Sequence, residues 1–188
     1  MANPEHLQIL EQGVEAWNQW RNKNRDIAPD LSKADLHEAI LTRTGLVETN
    51  LGGGLLTWKN NIGANLSRAG LTGANLAGAN LTAANLHEAI LTNAGLTEAS
   101  LREANLRRAN LTGADLTGAD LTEAILFRAI LVEADLREAD LSRAALSETV
   151  FSTTNLTTVR GLESCEHFAP SMLDHRTIVP SRSPGRFP

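Results

Sequence analysis

The sequence predicts an all-β solenoid of short strands stacked in laps, with an α-helical cap at its N-terminal end. Three observations carry this. Leucine recurs every fifth residue from Leu31 to Leu156, and only Asn61 and Phe151 interrupt the series. Alanine stands two residues ahead of that position at most steps from 34 to 154, the exceptions being Thr44, Thr49, Gly54, Lys59, Thr149 and Thr154. No proline occurs between Pro29 and Pro170. A period of five excludes an α-helix, because about 100° per residue would spiral the leucines around the axis and bury no single face. Within a unit, Ala and Leu are two apart, the spacing of one strand face. So short a strand buries nothing alone, so it must turn a corner and stack on the next lap. The missing prolines leave every backbone N–H available for that ladder.

Composition narrows the function classes. The chain has 188 residues and a formal net charge of −5, with leucine and alanine dominating its apolar content. This length fits one domain. Mild acidity lacks the basic footprint of a nucleic-acid binder, so no direct nucleic-acid contact is expected. Cys165 is the only cysteine, which excludes an internal disulfide framework. No run of apolar residues is long enough for a membrane helix, so none is expected. Met1 to Leu10 contains no Lys or Arg, so no secretory signal is visible, and a cytoplasmic location is the expectation.

The repeating unit is Ala-(Asn/Asp)-Leu-(Thr/Ser/Arg)-x, as in Ala74-Asn75-Leu76 and Ala114-Asp115-Leu116. It resembles the pentapeptide-repeat family, of the cyanobacterial type, over about residues 31–160. That resemblance implies a right-handed quadrilateral β-helix with four repeats to each coil, Leu and Ala pointing inward. At the usual strand spacing of about 4.8 Å, about six and a half coils would make a rod of roughly 30 Å. Asn, Asp, Gly, Thr and Ser are then expected outside and at the corners, where they tolerate turn geometry.

Residues 1–30 read as the cap and its connector. Asn3 is an N-cap, Pro4 suits the first helical position, and Glu5 favours the dipole. Leu7, Leu10, Val14 and Trp17 form one apolar stripe, widened by Ile9, Ala16 and Trp20. One helix over about 4–23 is expected, lying over the first coil; a partner-binding helix is the alternative. Residues 52–63, with three consecutive glycines and Trp58, break the pattern while the phase of five survives. Either two poor repeats stay in the stack, or a loop two repeats long is extruded and shifts the earlier faces by two. Trp58 either packs on the cap helix or stays exposed as a binding anchor.

Residues 161–188 carry no period, and the tail from Pro180 reads as disordered. This segment is similar to the linker that joins such repeats to further domains, Toll/interleukin-receptor-like ones included, in multidomain relatives. The chain is then either a stand-alone module or a shortened relative, the sensory or spacer part of a lost effector. Phe151, standing in for Leu near that end, either fills a wider last coil or marks a homodimer contact through the C-terminal coil.

No enzyme signature appears. Cys165, His167, Asp174 and His175 form the only cluster of metal- or nucleophile-type residues, and Cys-x-His lacks a zinc spacing. His37 and His87 sit in identical His-Glu-Ala-Ile-Leu segments, which marks duplication. No phosphate loop, dinucleotide fingerprint or nucleophile elbow is present. No cofactor, metal or catalytic residue is expected.

Sorting outward residues by laps of four repeats separates the faces. One acidic face gathers Asp35, Glu38, Glu98, Asp115, Asp135 and Glu138 against Arg137, a net of −5. Another carries Glu48, Arg68, Glu88, Arg108, Arg128 and Glu148 in one rank, an ion ladder, with His87, Arg107, Ile125 and Phe127 beside it. Arginine, aromatic and aliphatic groups together are the composition of a contact patch. Arg107, Arg108, Ile125, Phe127 and Arg128 are therefore the candidate partner site. A third face aligns Thr72, Thr92 and Thr112 beside Val132 and Ser152, which suits strand propensity. The expected function is a non-catalytic scaffold that docks a protein partner. The alternative is a DNA-mimicking modulator of DNA gyrase acting through the acidic face, a property the family resemblance implies.

Overall fold

The computed structural model describes residues 2–32, 34, 44–46, 49–51 and 64–173. The expectations for 52–63, Trp58 included, and for the tail from 174 onward lie outside the described residues.

From residue 64 the chain winds in regular laps of four repeats. Asn65, Asn85, Asn105, Ile125 and Ala145 pair in parallel one above another, and so do the ranks that start at Gly70, Asn75 and Asn80. These four ranks, one repeat apart, give each lap four faces, here numbered one to four in that order. The inward Leu and Ala of residues 64–146 are buried throughout.

One repeat accounts for all its N–H groups, as a buried backbone must. In the unit around Leu86, Leu86 N donates to Asn105 O of the next lap at 2.9 Å, Glu88 N to Arg107 O at 2.9 Å, and Asn85 N back to Ala64 O at 2.9 Å. Ala89 N closes a turn on Leu86 O at 3.0 Å. The remaining N–H, of His87, donates to Asn85 Oδ1 at 3.2 Å. That last bond explains the Asn or Asp before so many leucines. Its side chain is the acceptor for the residue after the leucine, an Asx turn, as in Thr117 N to Asp115 Oδ1 at 3.0 Å and Ser142 N to Asp140 Oδ1 at 2.9 Å. These residues stand on the strand ranks. The corner residue with positive φ, two after the leucine, is Glu or Arg far more often than Gly. Thr and Ser, expected at the corners, hold the turn position just before it in many repeats, as at Thr72, Thr92 and Thr112.

The lap across 52–63 is longer. Asp30 pairs with Asn50 at the ordinary interval, but Gly45 pairs with Gly70 and Asn50 with Asn75, each one repeat beyond that interval. This lap therefore holds one extra repeat. The faces before this lap are thus offset by one repeat from those after it. The third-face rank runs Asp30, Asn50, Asn75, Gly95, Asp115, Asp135, Asn155.

The cap is two helices, α1 (Pro4–Glu11) and α2 (Val14–Lys23), not one. Gly13, at φ 106°, breaks them apart. Asn3 caps α1 as expected, its side chain accepting from Glu5 N at 2.9 Å. The cap supplies the hydrogen bonds that a preceding lap would have made. Asn3 N donates to Asp30 O at 2.8 Å and Asp30 N to His6 Nδ1 at 3.0 Å. Gly45 N donates to Asn18 Oδ1 at 2.8 Å, and Trp17 Nε1 to Gly45 O at 2.9 Å. An open sheet edge is thereby covered.

Stacking continues beyond Leu156 although the sequence period ends. Strand β1 (Ala145–Leu146) pairs with β3 (Glu166–His167), and β2 (Val150–Phe151) with β4 (Met172–Leu173). Ala145 meets Glu166 and Val150 meets Met172, one and two positions beyond the regular interval, since a 3-10 turn at Leu162–Ser164 lengthens the lap. Backbone pairing requires no side-chain period, which is why the sequence hid this lap. Thr149 and Thr154, in alanine positions, are buried and donate to Leu126 O at 2.8 Å and Leu131 O at 2.7 Å. Phe151 is buried in the last coil.

Candidate functional site

The first face places the arginines and aromatics together. Its strand rank begins with Asn65, Asn85 and Asn105, whose amides stack side chain to side chain at 3.4 and 3.3 Å. At Ile125 the amide gives way to an apolar side chain in the same rank. One residue beyond each buried leucine lie His87, Arg107 and Phe127. The Arg107 guanidinium sits 4.8 Å from the Phe127 ring centroid, within cation–π reach. Phe168, from the extra lap, meets Phe127 edge-on at 5.2 Å and is 65 % exposed. Sequence reasoning missed Phe168 because it lies past the last repeat, where no period predicts a face.

Arg108 and Arg128 stand at corners and are tied down. Glu88 accepts from Arg68 at 2.7 Å and from Arg108 at 3.3 Å, while Arg128 pairs with Glu148 at 2.8 and 3.1 Å. The two arginines hold the Glu88 carboxyl below its ordinary range. Of the five candidate residues, the structure joins Arg107 directly to Phe127, with Ile125 in the adjoining rank. Arg108 and Arg128 contribute charge at the edge. Glu48 lies outside the described residues.

The acidic candidates Glu98, Asp115, Asp135 and Glu138 share the third face. Asp35 and Glu38, sorted onto the same face by sequence, lie outside the described residues, and the pairing through Asn50 puts Asp30 at the head of the rank. Among residues 64–160 the third face holds Glu98, Asp115, Asp135 and Glu138 against Arg137, a net of −3. Arg137 clamps Asp135 through three contacts of 2.6 to 2.9 Å, and these hydrogen bonds hold its carboxyl below the ordinary range. Thr117 above all, together with Thr97, does the same for Asp115, against burial and the neighbouring Asp135. Both carboxylates therefore stay ionised on adjacent laps.

The second face is almost uncharged. Its outward residues from Gly70 to Thr153 include one ionisable group, Glu133, and exposed Ile90 and Ile130. At the C-terminal end an apolar cavity of about 390 Å³ opens between Leu146, Phe151, Leu156, Leu162, Phe168 and Leu173. Cys165, outside that cavity's lining, is half-buried, its Sγ donating to Leu141 O at 3.2 Å. Burial, reinforced by Glu163, pushes its thiol up to about 11, which leaves it a poor nucleophile. His167 is exposed; Asp174 and His175 lie outside the described residues. Among the described residues, no helix is long and apolar enough to cross a membrane.

A family model of pentapeptide repeats matches residues 62–97, 89–126 and 126–157, in eight copies. No curated protein sequence matches the chain. Among solved structures, it is similar to a pentapeptide repeat protein of the Arabidopsis thaliana thylakoid lumen, with 31 % identity and a TM-score of 0.49. That match covers 53 % of this chain and 66 % of the other, just under two thirds of the plant protein's length. HetL, a pentapeptide repeat protein involved in heterocyst differentiation regulation in the cyanobacterium Nostoc, is 30 % identical over 79 % of this chain and 76 % of its own, with a TM-score of 0.43. QnrB1, a plasmid-mediated fluoroquinolone resistance protein, is 17 % identical over 78 % and 83 %, with a TM-score of 0.33. At these TM-scores none of the likenesses bears on this chain's partner.

Proposed function

The chain belongs to the pentapeptide-repeat family, and from that premise we propose that it is a non-catalytic protein–protein interaction scaffold. In this reading a right-handed quadrilateral β-helix, working in the cytoplasm, offers its first face to a protein partner. One observation carries it: Arg107 stacked on Phe127, with Phe168 exposed against the same ring. A desolvatable aromatic and an arginine on a rigid sheet are the groups that dominate binding energy in protein interfaces. The rigid backbone ladder lowers the ordering cost of docking. Homodimerisation through the C-terminal coil is the alternative to that first-face contact, and the apolar cavity around Phe151 and Leu173 is what would support it.

A second reading has a narrower support. Asp115 and Asp135, stacked on adjacent laps and both ionised, form the start of a phosphate-like row; this favours a DNA-mimicking modulator of DNA gyrase. Capture from a cyanobacterial lysate separates the two. The scaffold reading expects a specific protein retained by the wild type and lost at least about tenfold with Arg107→Glu plus Phe127→Ala. Equal retention by that variant sinks the first-face site. A gyrase subunit lost only when Asp115 and Glu138 become lysine would move the site to the acidic face.

A further inference from the structure

We propose that the partner the first face fits is a second copy of this chain, presented by its third face, so that molecules associate side by side. The inference rests on the docking reading above and names the partner's chemistry. The ranks of the two faces, headed by Asn65 and Asn75, are two repeats apart. Two repeats are half a lap, so the faces lie on opposite sides of the coil. Between residues 64 and 160 the first face carries Arg68, Arg107, Arg108 and Arg128 against Glu88 and Glu148, a net of +2. The third face carries a net of −3. Opposite sides of one rod thus bear opposite charge, while the second face between them is nearly neutral.

Relief matches as well as charge. The first face projects Arg107, Ile125 and Phe127, whereas the third is built on small residues, Ala77, Gly95, Thr97 and Gly118 among them. Register follows from the half-lap offset. In a contact made by translation across the axis, Arg107 and Arg108 fall between Glu98 and Asp115. Arg128 falls between Asp115 and the Asp135–Glu138 turn. A two-fold contact of either face with itself would bring together two surfaces of the same net charge, which is the less favourable arrangement. The complementary pairing is head-to-tail and does not close, so it builds an open row. Exposed ion pairs are individually weak and screened by salt, which makes the row a low-affinity, salt-sensitive assembly.

Sedimentation velocity on the full chain tests this, between about 20 mM and about 500 mM salt. At low salt the average mass is expected to exceed the monomer and rise with concentration, with an association constant falling at least about tenfold at high salt. Two variants make the test specific: Arg107→Glu plus Arg128→Glu, and Asp115→Lys plus Glu138→Lys. Each alone is expected to remain monomeric at low salt, because both opposite faces then bear one sign. An equimolar mixture is expected to associate, alternating the two variants. A wild type monomeric at low salt overturns the proposal, as does a mixture of folded variants that stays monomeric. Association that survives both variants and disappears with Phe168→Asp belongs to the C-terminal coil and also overturns it. A foreign protein captured through Arg107 by a strictly monomeric wild type would sink this inference and leave the docking reading standing.

Discussion

At the corner of each lap, single residues hold a backbone conformation that glycine would adopt more cheaply. From Arg68 to Thr153 the residue two after the leucine position has φ between 51° and 67°, and most of those residues carry a Cβ. An L-residue in that region costs about 1–2 kcal/mol. Where a charged side chain joins an ion ladder, as Glu88 does, part of the cost is offset. Ala83, at φ 56°, has no charged group to offer such a ladder. Ala83→Gly is therefore expected to stabilise the chain by about 0.5–1 kcal/mol, the strain relief less the freedom added to the unfolded chain. The reverse change at Gly113 is expected to destabilise by about 1–2 kcal/mol: its φ is 67°, and a Cβ there would run into Asn93 Oδ1. Paired thermal melts check both. A lower melting temperature for Ala83→Gly would show that the left-handed corner is not strained.

At the scale of elements, the two cap helices act as a substitute lap. Trp17 is the centre of this substitution, being fully buried while its Nε1 closes the free carbonyl of Gly45. The neighbouring Trp20 ring lies 5.4 Å away and itself meets His6 at 5.0 Å. Trp17→Ala removes both the volume and the bond, with an expected cost of about 3–5 kcal/mol. Trp17→Phe keeps most of the volume and should cost about 1–2 kcal/mol, chiefly for the orphaned carbonyl. Denaturant midpoints of the two variants give the split. Equal losses would mean that packing alone holds the cap. The apolar stripe found Leu10 and Trp17, but not His6 or Asn18, which serve the cap through hydrogen bonds rather than through apolar area.

At the scale of the whole molecule, each lap contacts only the laps above and below, so stability is a sum of neighbours. Leu116 sits mid-stack, fully buried in the leucine core. Leu116→Ala is expected to cost about 2–5 kcal/mol. Its effect on amide exchange should be local, with protection lost first in the laps around 96–136 and least at the helical cap. Uniform loss of protection along the chain would instead mark the rod as one cooperative unit.

The interior is legible in the sequence down to single residues. A strict period of five in leucine, with alanine two before it, can be buried only by stacked, cornered strands. The arginine–aromatic patch is legible too, because residues one lap apart must stack once the lap is regular. What breaks that regularity emerges only in three dimensions. The phase of five runs unbroken through 52–63, so only the pairing of Asn50 with Asn75 shows the extra repeat that moves Asp30 into the acidic rank. Likewise, only the backbone pairing of β1 with β3 and of β2 with β4 brings Phe168 onto Phe127. The physical reason is the same in both places. Side-chain period records what must be buried, whereas lap length and edge closure are settled by backbone hydrogen bonds, to which every residue but proline can donate and which impose no side-chain period.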